Sequence, residues 1–125
     1  MRFLVMVKMR EDVGEAPPAL AEAMGRGIAD ALASGLMVDA GGLFPTALST
    51  EIRVAGGQMT VTDGPYAEAK EVAGGFSILD VPSREEAVRL ARRVADLHRE
   101  FWPDWEGSVE VRRIADPTDG SPPDA

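Results

Sequence analysis

The chain has 125 residues, no cysteine and a formal net charge of −8, and its length fits a single domain. The lack of cysteine excludes thiol catalysis, zinc–thiolate sites and iron–sulfur clusters, and the acidic balance argues against nucleic acid as a partner. No apolar run approaches the ~20 residues of a membrane span, and the start "MRFLVMVKMR" lacks signal-peptide features. We therefore expect a cytoplasmic protein without membrane contact.

The first third of the chain predicts a strand, a helix and a second strand. "RFLVMVKM" is apolar on both faces up to Lys8, as in a central strand that is covered on both sides. Pro17 and Pro18 indicate a helix start, and "SGL" supplies the glycine that ends the helix. "LMVDAGGLFP" is typical of a strand, in which Gly41-Gly42 indicates a bulge or a close backbone approach.

The rest of the chain predicts a hairpin, a strand, a helix and a final strand. "TEIRVAGGQMTVTD" forms the hairpin around Gly56-Gly57, and "GFSILDV" is the next strand. Ser83 and Glu86 match the S-x-x-E capping pattern, and the helix that follows has one apolar face ending at His98. "SVEVRRI" is the last strand, and the segment 115–125, which is rich in Pro, Gly and Asp, is predicted to be a disordered acidic tail.

This order of elements predicts an α+β fold, a ferredoxin-like sandwich with an inserted β-hairpin. The two helices are expected to cover one face of the sheet. The apolar alternation on the other face predicts that two chains stack sheet on sheet, because an apolar face of that size is rarely left exposed. We therefore expect a homodimer of a domain that spans residues 1–114.

The segment "TDGPYAEAKEVAGGF" resembles the signature of the DGPF-motif branch of YCII-related proteins, with Tyr66 where many members have phenylalanine. "MRFLVMVK", "SGLMVDAGGLFP", "SREEAVRLARR" and "GSVEVRRI" fit the same family in order. The resemblance implies a dimeric α/β barrel. It also implies a small bacterial cytoplasmic protein, often encoded beside an extracytoplasmic-function sigma factor. Related branches are thought to use a histidine–aspartate pair near the first helix, but that helix has no histidine here, so the mechanism is not carried over.

The charged signature segment is the first candidate site. Asp63 could cap the following turn, or it could act as a general base in a cleft between sheet and helix. In the second case, Tyr66 or Lys70 would stabilise developing negative charge. Tyr66 could equally fill the core or the dimer interface. Glu68 and Lys70 could surround a polar ligand, or they could belong to a solvated face with weak ion pairs.

The aromatic segment "HREFWPDWEG" is the second candidate site. Trp102 and Trp105 flank Pro103, where they could line a ligand pocket, anchor a dimer or fold over the helix end. His98 is the only histidine and could bind a ligand, although a lone histidine at a helix end is more often a packed or capping residue.

The sequence contains no metal-ligand spacing, phosphate loop or dinucleotide fingerprint, so we predict no metal and no cofactor. The leading hypothesis is a small homodimeric protein that binds a small organic molecule. If the protein is an enzyme, we expect a cofactor-independent isomerase or lyase that uses proton transfer. One alternative is a non-catalytic accessory protein linked to a sigma-factor-type transcription regulator. Another is a dimer in which the signature is purely architectural.

Overall fold

A computed structural model describes residues 1–66 and 71–115, and within these ranges the chain forms six strands and two α-helices. The predicted tail beyond residue 115 lies outside the described residues. The strands are β1 (Arg2–Met9), β2 (Met37–Gly42), β3 (Thr50–Ala55), β4 (Gln58–Asp63), β5 (Val72–Asp80) and β6 (Gly107–Arg113). The helices are α1 (Pro18–Ala33) and α2 (Arg84–Phe101), and short 3₁₀ turns lie at Glu11–Val13 and Thr46–Leu48.

Four strands form one antiparallel sheet in the order β2-β5-β1-β6. The chain contributes two strand–helix–strand units, β1-α1-β2 and β5-α2-β6, whose strands alternate in the sheet, which is the arrangement of a ferredoxin-like sandwich. β3 and β4 pair separately as a two-stranded hairpin, between β2 and β5 in the chain. The predicted α+β fold with an inserted hairpin is confirmed.

The inner face of the sheet carries the apolar core. Phe3, Val5 and Leu79 are at most 3% exposed, and they pack with Ala87 and Ala91 of α2. The alternate residues of β1 are buried because successive side chains of a strand point to opposite faces. The two alanines have small side chains, so α2 can lie close to the sheet.

Local signals determine where several elements begin and turn. The Ser83 hydroxyl oxygen accepts a hydrogen bond of 3.2 Å from the backbone N–H of Glu86, which confirms the predicted cap of α2. The Glu86 carboxylate binds Arg89 rather than completing the capping box. Gly56-Gly57 form the hairpin turn with φ of 58° and 74°, a conformation that favours glycine.

Glycines also allow a close packing between β2 and β5. A Cβ on Gly41 would lie 2.9 Å from Cε1 of Phe76, whereas one on Gly42 would meet nothing within 4 Å, so Gly41 makes room for an aromatic side chain. β5 begins at Val72, three residues before the start that the sequence indicates at Gly75. The difference arises because Gly74-Gly75 resemble a break in the strand pattern, whereas here Gly75 pairs with Val7 and Gly42, and Gly74 lies at a bulge inside the strand.

The outer face of the sheet is open in the single chain. Its central side chains are apolar and half-buried, and they are Leu4, Met6, Phe76 and Ile78. Beside them, Glu110 of β6 forms ion pairs with Lys8 and, at 2.5 Å, with Arg112. This face therefore combines an apolar centre with a charged margin of both signs.

Candidate functional site

The larger of two cavities lies between the helices and the inner face of the sheet, and its volume is about 520 Å³. This size is within the range of small-molecule sites in proteins. Most of the lining is apolar, and both helices and the strands β1, β2 and β5 contribute to it, including Val5, Val7, Leu20, Met24, Ile28 and Val94. The segment that follows β2 contributes Leu43 and Phe44.

The cavity exists because α1 does not pack closely against the sheet. Leu20 and Ala23 are the buried residues of α1, whereas Met24 and Ile28 are half-buried and line the cavity. A second cavity of about 310 Å³ lies between α1 and α2 and shares these two residues. Protein interiors are normally close-packed, so two spaces beneath one helix indicate a region with a role other than forming the core.

His98 is the buried polar side chain of this region, with 5% exposure. Its Nδ1 atom lies 2.8 Å from the carbonyl oxygen of Val94, and it therefore donates, because a carbonyl oxygen can only accept. In the neutral ring Nε2 is then the acceptor, and it has no hydrogen-bond partner within residues 1–66 and 71–115. His98 lines the larger cavity.

The structure separates the two tryptophans that the sequence places together. Trp102 lines the larger cavity, and its backbone N–H donates to the carbonyl oxygen of His98 at 2.8 Å. Trp105 contributes to the lining of neither cavity and packs on the His98 ring, with ring centroids 4.6 Å apart. Trp105 therefore supports His98, and Trp102 is the tryptophan that faces the space.

Trp105 occupies a tightly packed position. A Cβ on Gly107 would overlap the indole ring and the carbonyl oxygen of Lys8, so glycine is required where β6 begins. The indole Nε1 is buried and has no partner in the described part of the chain. Such a group costs on the order of 1–3 kcal/mol, so this packing is maintained at some expense of stability.

Three polar residues of the lining were not indicated by the sequence. Arg10 and Glu11 follow β1, and Ser77 lies opposite Val5 on the inner face of the sheet. Arg10 pairs with Asp12 through hydrogen bonds of 3.1 and 2.6 Å. Arg10 and Glu11 lie in a segment without periodicity, and Ser77 is one hydroxyl within an otherwise apolar strand, so no pattern marks them.

Glu11 also connects two turns at the margin of the cavity. Its carboxylate accepts a hydrogen bond of 2.8 Å from the backbone N–H of Thr46 and another from the Thr46 hydroxyl. The lining of the larger cavity thus includes a cation and a carboxylate that already have partners in the protein. A ligand would have to compete for either charge.

Asp63 lies at the exposed end of β4 and contributes to neither cavity. Its Oδ1 accepts a hydrogen bond of 2.9 Å from the Thr50 hydroxyl across the hairpin. The next backbone N–H, that of Gly64, donates to the carbonyl oxygen of Ser49 at 2.9 Å. A cross-strand bond therefore replaces the turn cap that the sequence suggested, and the role of Asp63 as a base stays a prediction.

Gly64 and Tyr66 attach the signature segment to the turn at Thr46–Leu48. A Cβ on Gly64 would overlap the carbonyl oxygen of Thr46, so only glycine fits. The Ser49 hydroxyl donates to the carbonyl oxygen of Thr46 at 2.8 Å, and its oxygen accepts a hydrogen bond of 2.8 Å from the Tyr66 hydroxyl. Both contacts give this part of the motif an architectural purpose. The predicted site residues Glu68 and Lys70 lie outside the described residues.

The resolved pKa shifts lie away from the cavity. A hydrogen bond from Lys8, with a further contribution from Arg112, lowers the pKa of Glu110. Arg89 likewise lowers the pKa of Glu86. In the ranges 1–66 and 71–115, no cluster of acidic or histidine side chains could hold a metal ion, and no helix is long and apolar enough to span a membrane.

Comparison with known proteins agrees with this fold. A family model described as the YCII-related domain matches residues 1–116. The chain belongs to the YCII-related family. Among curated relatives of this YCII-related chain is "Uncharacterized protein R00369" of Rhizobium meliloti (strain 1021), which is 37% identical over 73 residues. The match covers 58% of this chain and 55% of that protein, so the chain spans about half the length of the relative.

Proposed function

We propose that this YCII-related protein is a homodimer that binds a small, mainly apolar organic molecule between α1 and the sheet. The cavity of about 520 Å³ carries this proposal. Its wall is mostly apolar, it contains few polar groups, and it includes residues of α1 that the core does not use. These are the usual properties of small-molecule sites.

Binding is better supported than catalysis. An isomerase or lyase that works by proton transfer needs a base within reach of the ligand. Asp63 lies outside the linings of both cavities, and the Glu11 carboxylate already accepts two hydrogen bonds from Thr46. The enzymatic form of the hypothesis would require Asp63, Tyr66 or Lys70 to act on a molecule in this space.

The hairpin supports the dimeric part of the proposal. Its paired residues Ile52–Val61 and Val54–Met59 project to one face, and these four side chains are 62% to 70% exposed. A two-stranded hairpin by itself is marginally stable in water. An apolar face on such a hairpin therefore calls for a covering surface.

A second copy of the chain is the occupant that we propose for this face. The outer face of the sheet is open on the same chain, so one association could cover both surfaces, and two-fold dimers are the commonest oligomers. Lys8 and Glu110 place both signs of charge beside the apolar centre. Two copies can therefore meet without bringing only like charges together.

The binding proposal is tested with a variant that fills the cavity. Ile28→Phe adds volume to the lining, whereas Leu32→Phe changes an exposed position of the same helix that lines neither cavity. We expect some members of a panel of small apolar compounds to raise the melting temperature of the wild type. A ligand at ~100 times its Kd raises the free energy of unfolding by about 2.7 kcal/mol.

Ile28→Phe should lose this thermal shift, and Leu32→Phe should keep it. Equal shifts in both variants would show that the compounds bind elsewhere. If no compound shifts the wild type, the binding proposal fails.

The dimer is tested by measuring molar mass in solution with light scattering. We expect twice the chain mass of 13.3 kDa for the wild type and a monomer for the double variant Ile52→Lys, Val61→Lys. The double variant Thr60→Lys, Thr62→Lys is the matched control, because it adds the same two charges to the opposite face of the hairpin.

A monomeric wild type would refute the dimer. If instead the double variant stays dimeric, the hairpin lies outside the dimer interface. Its apolar face would then favour the accessory-protein hypothesis, with a regulator as the partner.

A further inference from the structure

We infer that the cavity selects an uncharged ligand that carries a hydrogen-bond donor, such as a hydroxyl group, and that Nε2 of His98 accepts this hydrogen bond. This assignment rests on the proposed binding function and adds the chemical class of the ligand to it. Two properties of His98 are decisive, namely its fixed orientation and its free acceptor atom.

The orientation of the ring is fixed on two sides. Nδ1 donates to the Val94 carbonyl oxygen at 2.8 Å, and the ring contacts Trp105 in a tilted arrangement, with centroids 4.6 Å apart and an angle of 45° between the ring planes. With the proton held at Nδ1, Nε2 of the neutral ring has a lone pair and no hydrogen to donate. Because His98 is 5% exposed and lines the cavity, a molecule in that space is the natural partner.

The other polar groups of the lining do not compete for this role. Arg10 is paired with Asp12, and the Glu11 carboxylate is bound to Thr46. Ser77 can both donate and accept, so its hydroxyl does not discriminate between ligands. A ligand carboxylate would find an acceptor at Nε2 and another carboxylate at Glu11, and it would have to compete with Asp12 for the Arg10 guanidinium.

The energetic reason for selection is the cost of a buried acceptor without a partner. A ligand without a donor would shield Nε2 from water and offer nothing in return. A site with a buried polar group therefore discriminates against analogues that lack the matching group. We expect the donor to improve affinity by about threefold to tenfold, as for one neutral hydrogen bond.

The experiment compares para-propylphenol with para-propylanisole, which keeps the ring, the chain and the oxygen but lacks the donor. Para-propylbenzoate tests an anion of similar size. Binding is measured by isothermal titration calorimetry. The wild type should bind the phenol most tightly, the anisole about threefold to tenfold more weakly, and the benzoate least.

His98→Leu should bind the phenol and the anisole equally, and His98→Gln, which restores an acceptor, should recover part of the preference. The wild-type comparison decides the question even if a variant fails to fold. Equal binding of phenol and anisole by the wild type would overturn the donor assignment and leave the binding function intact.

Three other results would also overturn the assignment to His98. In the first, the benzoate binds most tightly. In the second, Ser77→Ala loses the preference while His98→Leu keeps it. In the third, none of the three probes binds although other compounds of the thermal-shift panel do.

Discussion

The two helices cover the same face of the sheet but are built differently. α2 has a serine cap, acidic residues in its first turn and Arg99 in its last turn. Each of these features stabilises a helix through its terminal backbone groups or its dipole. α1 lacks a side-chain cap and has no such charges in either end turn, and its sequence contains Gly25 and Gly27.

The difference in local construction corresponds to a difference in packing. α2 buries Ala87, Ala91 and His98, while α1 buries Leu20 and Ala23 and lies above both cavities. α2 thus holds the core together, and α1 covers a space. Ligand-binding elements are commonly drawn from the less stable parts of a protein, which is consistent with a site beneath α1.

The largest expected effect is on the free energy of unfolding, when a larger side chain is introduced beneath each helix in turn. Ala87→Leu inserts a larger side chain at a position with no exposure, and it should lower the free energy of unfolding by about 1–3 kcal/mol. Ile28→Phe places its added atoms beside existing cavities and should cost less than about 1 kcal/mol. Urea unfolding of both variants measures the contrast, and equal losses would show that α1 is packed as closely as α2.

A smaller effect should come from making α1 more like α2. No atom lies within 4 Å of a Cβ placed on Gly25 or on Gly27, so alanine fits at both positions. Gly25→Ala and Gly27→Ala should each raise the free energy of unfolding by about 0.5–1 kcal/mol, because glycine weakens a helix interior. Thermal unfolding measures this gain, and a loss of stability at either position would mean that α1 needs its glycine.

The smallest effect concerns the ion pair between Lys8 and Glu110 on the outer face of the sheet. Lys8 lowers the pKa of Glu110 below its ordinary value of 4.5, so the carboxylate contributes stability above that value and loses it as the pH falls through the folded-state pKa. Glu110→Gln should lower the free energy of unfolding at neutral pH. In acid, where the wild-type carboxylate is protonated, the variant and the wild type should have the same free energy of unfolding. Glu100→Gln, on the exposed side of α2, is the control, and a loss that is independent of pH would contradict the ion-pair explanation.

Much of the fold could be predicted from the sequence because its signals are local. The Ser83 cap, the apolar face of α2 and the Gly56-Gly57 turn each depend on residues within a few positions of one another. The start of β5 could not be placed in this way, since the strand continues through the bulge at Gly74 only because the residues on either side of it pair with distant strands. Glycine alone does not reveal such contacts.

The candidate site could be predicted only in part. His98 and Trp102 lie at the cavity as expected of ligand-binding residues, but binding itself stays a prediction. The directions of Trp102 and Trp105 could not be read from the sequence, because the segment between α2 and β6 has no periodicity. Met24 and Ile28 have helical spacing that looks like core, and the distance of α1 from the sheet is a tertiary property.

The path of the chain between β2 and β5 has a consequence for the architecture. These two strands are neighbours in the sheet, with Gly42 opposite Gly75, and the N–H of Leu43 donates to the carbonyl oxygen of Gly74 at 3.0 Å. The β3–β4 hairpin is therefore an excursion that leaves the sheet and returns to the adjacent strand. A short turn could join β2 to β5 in its place, so the hairpin is a separable module whose surface can diversify independently of the sandwich that carries it.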